Sequence, residues 1–341
     1  MSVDKNDVGK LGVVWLKRLW QRQLSGRPPA TREDAIEEWQ VLHTVLAGLE
    51  LALAPTINFL HGNRPSFEQF EDWVLAINGG AVDPQRVARL NATLRGDPLP
   101  PATVQWMRGI DDMAPVLDQN DLDHWDEHGW VLLKGAISPD AARDTAEVVW
   151  RSQGMDPDNP ADWGRFGPDQ QCVFVQVFRH PALDANRHSA RIHKAFAQLW
   201  GRSDLWATTD RIGFNAPVSA NFNFPGPGIH WDVSLVQPVP FGIQGLIYLT
   251  DTAADQGAFA LVPGMHRSLG AWLDSLPPGA NPREYAARHV TMTPIAGQAG
   301  DMVLWHHALA HGPTPNTAKV PRLVHYMTMF PADFGYIPEW A

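Results

Sequence analysis

The tripeptide His230-Trp231-Asp232 places an imidazole and a carboxylate two positions apart in the chain. Successive side chains of a strand alternate between its faces, so both groups project from one face if this segment is extended. Mononuclear non-haem iron is commonly held by two histidines and one carboxylate, with coordination positions left open for other ligands. The tripeptide therefore provides two of the three protein ligands that such a site needs.

The same tripeptide also occurs earlier in the chain, as His124-Trp125-Asp126. We predict a helix over Asp121–His128, and residues two apart in a helix point about 200° away from each other. The first copy is therefore not expected to hold one ion with both side chains. The second copy follows a loop of glycine and proline, and we predict a strand over Ile229–Val236, which gives it the required geometry.

Three histidines lie downstream of the second copy and are candidates for the third ligand: His306, His307 and His311. They are followed by Arg322, which opens the last predicted strand. A planar guanidinium is suited to binding a carboxylate through two hydrogen bonds, so an arginine directed into a barrel beside a metal needs an anionic partner. An internal salt bridge or a surface position is the alternative for this arginine.

The elements that must position these residues change in character along the chain. Residues 1–118 are predicted to be helical, with a capping box at Thr31–Asp34, a second helix start at Pro65-Ser66 and a linker composition at Pro98–Pro101. From Ile212 onwards, short apolar runs separated by Gly, Pro and Asp favour an antiparallel sandwich or jelly roll. The predicted strands in this part are Ile229–Val236, Ile243–Thr250, Ala258–Val262, Val290–Pro294, Met302–His306 and Leu323–Phe330.

The composition of the 341 residues excludes several classes of partner. A formal net charge of −10 gives no basic surface for nucleic acid or an anionic membrane, so we expect a small-molecule partner. The oligomeric state is left open. The single cysteine, Cys172, excludes a disulfide within the chain and a thiolate zinc site. With no apolar signal segment or run of about 20 apolar residues, we expect a cytoplasmic protein.

Four separated motifs form a combination that is more specific than the tripeptide. They are Trp125–Leu133, His230-x-Asp232, the stretch from Asp255-Gln-Gly257 through Val262–Arg267, and Gly300-Asp301 with His311, Asn316 and Arg322. The arginine lies eleven positions after the distal histidine. In these motifs, residues 119–341 resemble the phytanoyl-CoA dioxygenase family of iron(II)- and 2-oxoglutarate-dependent oxygenases, whereas residues 1–118 do not resemble it.

The resemblance implies an α+β fold with a double-stranded β-helix core, which is a cupin-like jelly roll, together with flanking helices. We expect a dioxygenase domain over residues 119–341 and a helical N-terminal extension over residues 1–118 that packs on it. The extension would cover an apolar face of the core, shape the substrate pocket or form a subunit contact, and the sequence does not choose among these roles.

The resemblance also implies the composition of the catalytic site. The iron(II) ligands would be His230, Asp232 and His311, with 2-oxoglutarate as cosubstrate, its distal carboxylate bound by Arg322, and O2 as oxidant. The reaction would release succinate and CO2. In related halogenases a small residue occupies the position of the aspartate, so Asp232 indicates hydroxylation.

Two positions depart from the family pattern. Met265 stands where the family usually has a serine, and Pro313 stands where a serine often helps to bind the cosubstrate. We therefore expect Arg322 to be assisted by Thr314 or Tyr248. The alternative for Tyr248 is an ordinary core tyrosine.

These residues predict a dioxygenase that hydroxylates an unactivated C–H bond of a small metabolite, either an amino acid or a secondary metabolite. No basic cluster suited to the phosphates of CoA is evident, which favours a free metabolite. One alternative is a cupin-like metal oxygenase that does not use 2-oxoglutarate. The other is a jelly-roll binding protein that keeps a metal site without turnover.

Overall fold

A computed structural model of the chain describes residues 3–165, 167, 169–220, 222–224 and 226–341. The described helices are α1 (Leu16–Ser25), α2 (Arg32–Gly48), α3 (Leu53–Asn63), α4 (Phe67–Ile77), α5 (Pro84–Arg95), α6 (Pro101–Asp112), α7 (Gln119–His128), α8 (Pro139–Gln153), α9 (Pro181–Arg187), α10 (Ala190–Trp200), α11 (Met265–Asp274) and α12 (Pro282–His289). The described strands are β1 (Trp130–Leu133), β2 (Gln170–Gln171), β3 (Phe174–Val175), β4 (Leu205–Ala207), β5 (Ile212–Asn215), β6 (Ile243–Tyr248), β7 (Phe259–Leu261), β8 (Thr293–Pro294), β9 (Met302–His306), β10 (His311–Pro313) and β11 (Arg322–Pro331).

The chain forms two compact units. The first contains the residues up to Met113 together with 202–209 and 329–338, and the second contains 114–201, 210–328 and 339–341. Helices α1 to α6 and strand β4 lie in the first unit, so the helical character predicted for residues 1–118 is confirmed for most of this stretch. The functional motifs identified from the sequence all lie in the second unit.

Two helices of the first unit begin at the capping boxes that their sequences contain. The Thr31 hydroxyl accepts a hydrogen bond from the backbone N–H of Asp34, whose carboxylate accepts one from the N–H of Thr31. Ser66 and Gln69 make the same reciprocal pair at the start of α4. The linker predicted over Pro98–Pro101 is confirmed between α5 and α6, except that Pro101 is already the first residue of α6, where its missing N–H costs no helical hydrogen bond.

The strands form two antiparallel sheets. The larger has the order β1-β9-β6-β11-β5-β3-β2, with β4 paired to the end of β11, and the smaller has the order β10-β7-β8. The sheets and the surrounding helices confirm the predicted α+β class. In the larger sheet, β11 lies between β5 and β6, which places Arg322 opposite Asn215 and Val324 opposite Tyr248.

A cluster of buried side chains joins the two sheets of the second unit. It includes Leu246 and Tyr248 of β6, Trp305 of β9 and Phe259 of β7. Burial of each large apolar side chain contributes roughly 1.5–3 kcal/mol to stability. This cluster therefore fixes the position of the smaller sheet, which carries one of the candidate ligands, against the larger one.

The strand predicted over Ile229–Val236 is wrong. Only His230 makes a backbone bridge, and it pairs with His311. The neighbouring carbonyl oxygens of Trp231 and Val233 accept hydrogen bonds from the Arg283 side chain instead of a strand ladder. The alternation of apolar residues nevertheless identifies a side chain that faces the core, because Trp231 is buried in the cluster between the sheets.

No single helix in the described part of the chain is both long and apolar enough to cross a membrane. The pair α2 and α3 meets the criteria of length and composition only when taken together, and it is bent by 104°.

Candidate metal centre

Three of the predicted site residues converge in the second unit. The potential ligand atoms of His230, Asp232 and His311 all lie within 4.8 Å of one another. The Nε2 atoms of the two imidazoles lie 3.5 and 3.3 Å from the carboxylate oxygens of Asp232. Two imidazole nitrogens and one carboxylate oxygen in this arrangement form the donor set expected for mononuclear iron(II).

The backbone brings the two histidines together across an antiparallel bridge. The N–H of His230 donates to the carbonyl oxygen of His311 at 2.9 Å, and the reverse hydrogen bond is also 2.9 Å. The next residue, Gly312, lies so close to this segment that an added Cβ would lie 2.7 Å from the carbonyl oxygen of Gly228. A larger residue at position 312 would therefore push the two histidines apart.

Hydrogen bonds to the backbone orient both imidazole rings. Nδ1 of His230 lies 2.8 Å from the carbonyl oxygen of Gly228, and Nδ1 of His311 lies 3.0 Å from that of Leu309. A carbonyl oxygen only accepts, so Nδ1 carries the proton in each neutral ring. The lone pairs of both Nε2 atoms are consequently left for a metal ion.

The protonation states also suit a divalent cation. Burial, with a smaller effect from His311, lowers the pKa of His230 and favours its neutral form. Burial opposes ionisation of Asp232, but the close imidazole of His311, followed by His230 and the Gln244 amide, outweighs it and lowers the pKa of this carboxyl. Metal binding requires neutral imidazoles and an ionised carboxylate, and the forms favoured at His230 and Asp232 meet this requirement.

The cluster has one apolar side and one open side. The ring of His311 packs 5.2 Å from Trp305 and 5.6 Å from Phe259, and its side chain is only 4% exposed. The side chains of His230 and Asp232 are 30% and 48% exposed. A small molecule can therefore approach the ligands from the side of His230 and Asp232.

Arg322 is fully buried and begins β11, as predicted. Its Nε, Nη1 and Nη2 atoms have no hydrogen-bond partner among the described residues. Burial raises the pKa of Tyr326, which shares its strand face, and the guanidinium opposes this effect. No carboxylate among the described residues pairs with it, and a buried cation without a counter-charge is costly, so this position favours an anionic ligand.

Residues of the other family motifs hold the chain segment that leads to Arg322. The Gln256 amide donates to the carbonyl oxygen of Pro321 at 3.1 Å, directly before the arginine. The Asn316 amide donates to the carbonyl oxygens of Asn215 and Val320 at 3.0 and 2.8 Å. These motif residues thus position the arginine without offering groups to a ligand.

The hydroxyl groups of the two predicted helper residues are bound by the protein backbone. The Tyr248 hydroxyl donates to the carbonyl oxygen of Ile295 at 2.5 Å and accepts from the N–H of Phe259 at 3.2 Å. This geometry favours the alternative of a core tyrosine. The Thr314 hydroxyl donates to the carbonyl oxygen of Ala258 at 3.1 Å, which leaves its oxygen able to accept a further hydrogen bond.

His306 and His307, the other two candidates for the third ligand, lie outside the cluster. Nδ1 of His306 accepts from the N–H of Ala308 at 2.9 Å, and its ring packs 5.2 Å from Phe241. Burial lowers the pKa of His306 to about 3 and that of His307 to about 4, so both are neutral near pH 7.

Gln244 and Arg283 contact the site but are not predicted from the sequence. The Gln244 amide donates to Oδ2 of Asp232 at 2.7 Å, and Arg283 binds the backbone on both sides of Asp232. Gln244 shares one face of β6 with Leu246 and Tyr248. A polar residue on this face was the sequence signal that could have identified it. Arg283 gave no signal, because its contacts join segments about 50 residues apart.

Comparisons with known proteins identify the family of this chain. The sequence profile of the phytanoyl-CoA dioxygenase (PhyH) family matches residues 125–324. The chain is similar to a 1-deoxypentalenic acid 11-beta-hydroxylase of Streptomyces arenae, with 25% identity over 241 residues that cover 62% of this chain and 80% of the relative. A putative phytanoyl-CoA dioxygenase of Dictyostelium discoideum is 19% identical over 267 residues, which cover 63% of this chain and 76% of the relative.

Solved structures give a further match. The chain is similar to SnoK, a non-haem alpha-ketoglutarate-dependent carbocyclase from nogalamycin biosynthesis, with a TM-score of 0.48 and 22% identity over 67% of this chain and 88% of SnoK. The profile match, which covers more than half of the chain, confirms the predicted family and the predicted class of enzyme, an oxygenase. Iron(II) and 2-oxoglutarate are the expected cofactors of that class, and the His–Asp–His cluster offers a place for the iron. The chain therefore belongs to the phytanoyl-CoA dioxygenase family.

Proposed function

We propose that this protein is an iron(II)- and 2-oxoglutarate-dependent dioxygenase that hydroxylates an unactivated C–H bond of a small metabolite and releases succinate and CO2. The observation that carries the proposal is Arg322, a fully buried cation without a described partner, in the same unit as a cluster of three metal-ligand side chains. The two antiparallel sheets support a jelly-roll, or double-stranded β-helix, core that holds both features.

His230, Asp232 and His311 would hold the iron through two Nε2 atoms and a carboxylate oxygen. Bound in this way, iron(II) supplies activation of O2 at coordination positions that the protein leaves open. The backbone hydrogen bonds at both Nδ1 atoms keep the rings aimed at the metal.

Arg322 would bind the distal carboxylate of 2-oxoglutarate. Two parallel hydrogen bonds to that carboxylate satisfy a guanidinium that is otherwise unpaired, and they fix the direction of the cosubstrate. Val324 follows Arg322 on the same strand face and belongs to the buried cluster that includes Trp305 and Phe259. These apolar walls exclude water from the reacting groups.

Two features support hydroxylation of a free metabolite. Asp232 fills the ligand position that is vacant in halogenases of related type, so no halide site is formed. A relative with 25% identity is named as a hydroxylase of 1-deoxypentalenic acid, which is a small molecule. We therefore expect an amino acid or a secondary metabolite as substrate, entering from the open side of His230 and Asp232.

We also propose that residues 119–341 form the catalytic domain and residues 1–118 a helical extension. The family profile begins at residue 125, which supports a boundary close to this position.

The test is formation of succinate from 2-oxoglutarate by protein reconstituted with iron(II) and ascorbate, measured alone and with a panel of free metabolites. We expect succinate from the wild type, and an increase of about 100-fold or more in the KM for 2-oxoglutarate in Arg322→Ala, because loss of one partner of a buried charge pair costs about 2–5 kcal/mol. Arg143→Ala is the control, since Arg143 is exposed and its one ion pair with a described residue is with neighbouring Asp140 in its helix.

Two results contradict the proposal and identify a different function. Substrate oxidation that consumes O2 without succinate, unchanged in Arg322→Ala, would show a metal oxygenase independent of 2-oxoglutarate. Metal binding without consumption of 2-oxoglutarate, across the whole panel, would show a binding protein.

A further inference from the structure

The segment that carries Asp232 lacks the support that a strand would give it. Among the described residues, its backbone forms a bridge at His230, and no ladder continues through Trp231, Asp232 and Val233. The Asp232 side chain is also the most exposed of the three candidate ligands, at 48%. Something other than a sheet must therefore hold this carboxylate in a position to share an ion with His230 and His311.

Arg283, in helix α12, binds this segment on both sides of the aspartate. Its Nη1 donates to the carbonyl oxygen of Trp231 at 2.6 Å, and its Nη2 donates to that of Val233 at 2.7 Å. The first carbonyl belongs to the peptide that precedes Asp232, and the second to the peptide that follows Val233. Because the guanidinium is a rigid planar fork, these two bonds fix the separation and direction of both carbonyl groups.

Arg283 is itself held firmly. Its guanidinium lies 4.6 Å from the centre of the Trp340 ring, and Nη2 also donates to the carbonyl oxygen of Ala341 at 3.2 Å. The backbone N–H of Leu235 donates to the same oxygen of Ala341 at 3.3 Å. Arg283, which lies in α12, thus connects Ala341 and the segment of Asp232 through hydrogen bonds.

We propose that Arg283 is a positioning residue of the metal centre. It fixes the backbone around Asp232 through two charge-assisted hydrogen bonds, and thereby holds the carboxylate towards the Nε2 atoms of His230 and His311. The side chain does not contact the metal. Partners that orient metal ligands contribute 10–100-fold in metal affinity, and Arg283 acts through the backbone, so we expect the lower end of that range, about tenfold.

The experiment is a titration of the metal-free protein with cobalt(II) or nickel(II), which measures the dissociation constant of the metal without turnover. Arg283→Lys keeps the charge and the aliphatic stem but loses the planar fork, and Arg283→Met loses the charge as well. We expect weaker binding by about tenfold in Arg283→Lys and by more in Arg283→Met. Arg288→Lys is the matched control, because Arg288 lies in the same helix, is 71% exposed and, in the part of the chain that the structure describes, pairs with Glu284 alone. The metal affinity of this variant should be unchanged.

A second titration separates positioning from a general structural role. If Arg283 acts through Asp232, then in an Asp232→Ala background the substitution Arg283→Lys should leave the residual affinity of the two histidines unchanged. Equal losses in both backgrounds, or an unchanged affinity in Arg283→Lys and Arg283→Met, would overturn the proposal. Thermal unfolding of each metal-free variant shows that the compared proteins are folded.

The inference concerns metal affinity and depends on the proposed function only for the identity of the metal as iron. Absence of succinate formation, combined with the expected loss of cobalt affinity in Arg283→Lys, would overturn the proposed function and support the positioning role. Succinate formation with unchanged metal affinity in both Arg283 variants would support the proposed function and overturn the positioning role.

Discussion

The two copies of His-Trp-Asp contain the same three residues but differ in every structural property that matters for chemistry. In the first copy, within α7, the His124 ring packs 4.6 Å from Trp130, and the Asp126 side chain faces solvent. In the second copy, the ligand atoms of His230 and Asp232 lie close to those of His311. The backbone, and not the residue types, decides which copy can hold an ion.

The difference extends to the central tryptophan. Trp231 is buried in the cluster between the sheets, and its indole N–H donates to the carbonyl oxygen of Ala308 at 3.1 Å. Trp125 is only half-buried, and its ring lies 6.4 Å from that of His306. The second tripeptide thus combines two ligands on one side with a core residue on the other, so that folding of the core places the ligands.

The largest difference between the copies should appear in metal binding. Replacement of Asp232 by alanine removes one of three ligands, and we expect the affinity for cobalt(II) to fall by about 1000-fold, on the order of 4 kcal/mol per ligand. Asp126→Ala should leave the affinity unchanged, since that carboxylate lies in α7 and does not belong to the ligand cluster. Titration of both metal-free variants with cobalt(II) measures the comparison.

Equal effects of the two substitutions would remove the distinction between the copies. A loss of affinity in Asp126→Ala, with none in Asp232→Ala, would show that the metal binds at the first tripeptide and that our proposal names the wrong copy.

The distinction between the two copies was predictable because it depends on local signals. Asp118 and Asp121 form a capping box at the start of α7, and Gly129 ends that helix in a left-handed conformation, so the helical context of the first copy is encoded nearby. The core strands β6, β9 and β11 were also predicted at nearly their observed bounds, since their apolar runs are buried on both sides.

The features that were not predicted depend on partners far away in the sequence. The carbonyl oxygens of Trp231 and Val233 are bound by Arg283, so apolar alternation alone gave a strand that does not form. Tyr248 could help to bind the cosubstrate or be a core residue until the position of Ile295, 47 residues later, was known. Helix α11 begins at Met265 after an N-cap glycine, Gly264, which provides no side-chain cap and therefore no local start signal.

The next largest difference should appear in stability. Trp231→Ala removes a buried aromatic ring and leaves a cavity between the sheets, so we expect the free energy of unfolding to decrease by about 3–5 kcal/mol. Trp125→Ala should cost roughly 1 kcal/mol, because this ring is half-buried on a helix surface. Chemical denaturation of the metal-free proteins measures both values, and similar losses would show that Trp231 is not part of the core that places the ligands.

The smallest expected effect concerns a hydrogen-bond donor to the aspartate side chain. Asp232 has such a donor, whereas Asp126 has none among the described contacts. The Gln244 amide donates to Oδ2 of Asp232 at 2.7 Å, which leaves the other carboxylate oxygen towards His230. Gln244→Leu keeps the side-chain volume but removes this donor, so we expect cobalt(II) affinity to fall by about tenfold. Gln244→Glu should weaken binding less than Gln244→Leu does, or strengthen it. The second carboxylate cannot donate to Asp232 when ionised, but it adds negative charge beside the cation. An unchanged affinity in Gln244→Leu would show that the backbone contacts of Arg283 hold Asp232 by themselves, and the second copy would then differ from the first through its backbone alone.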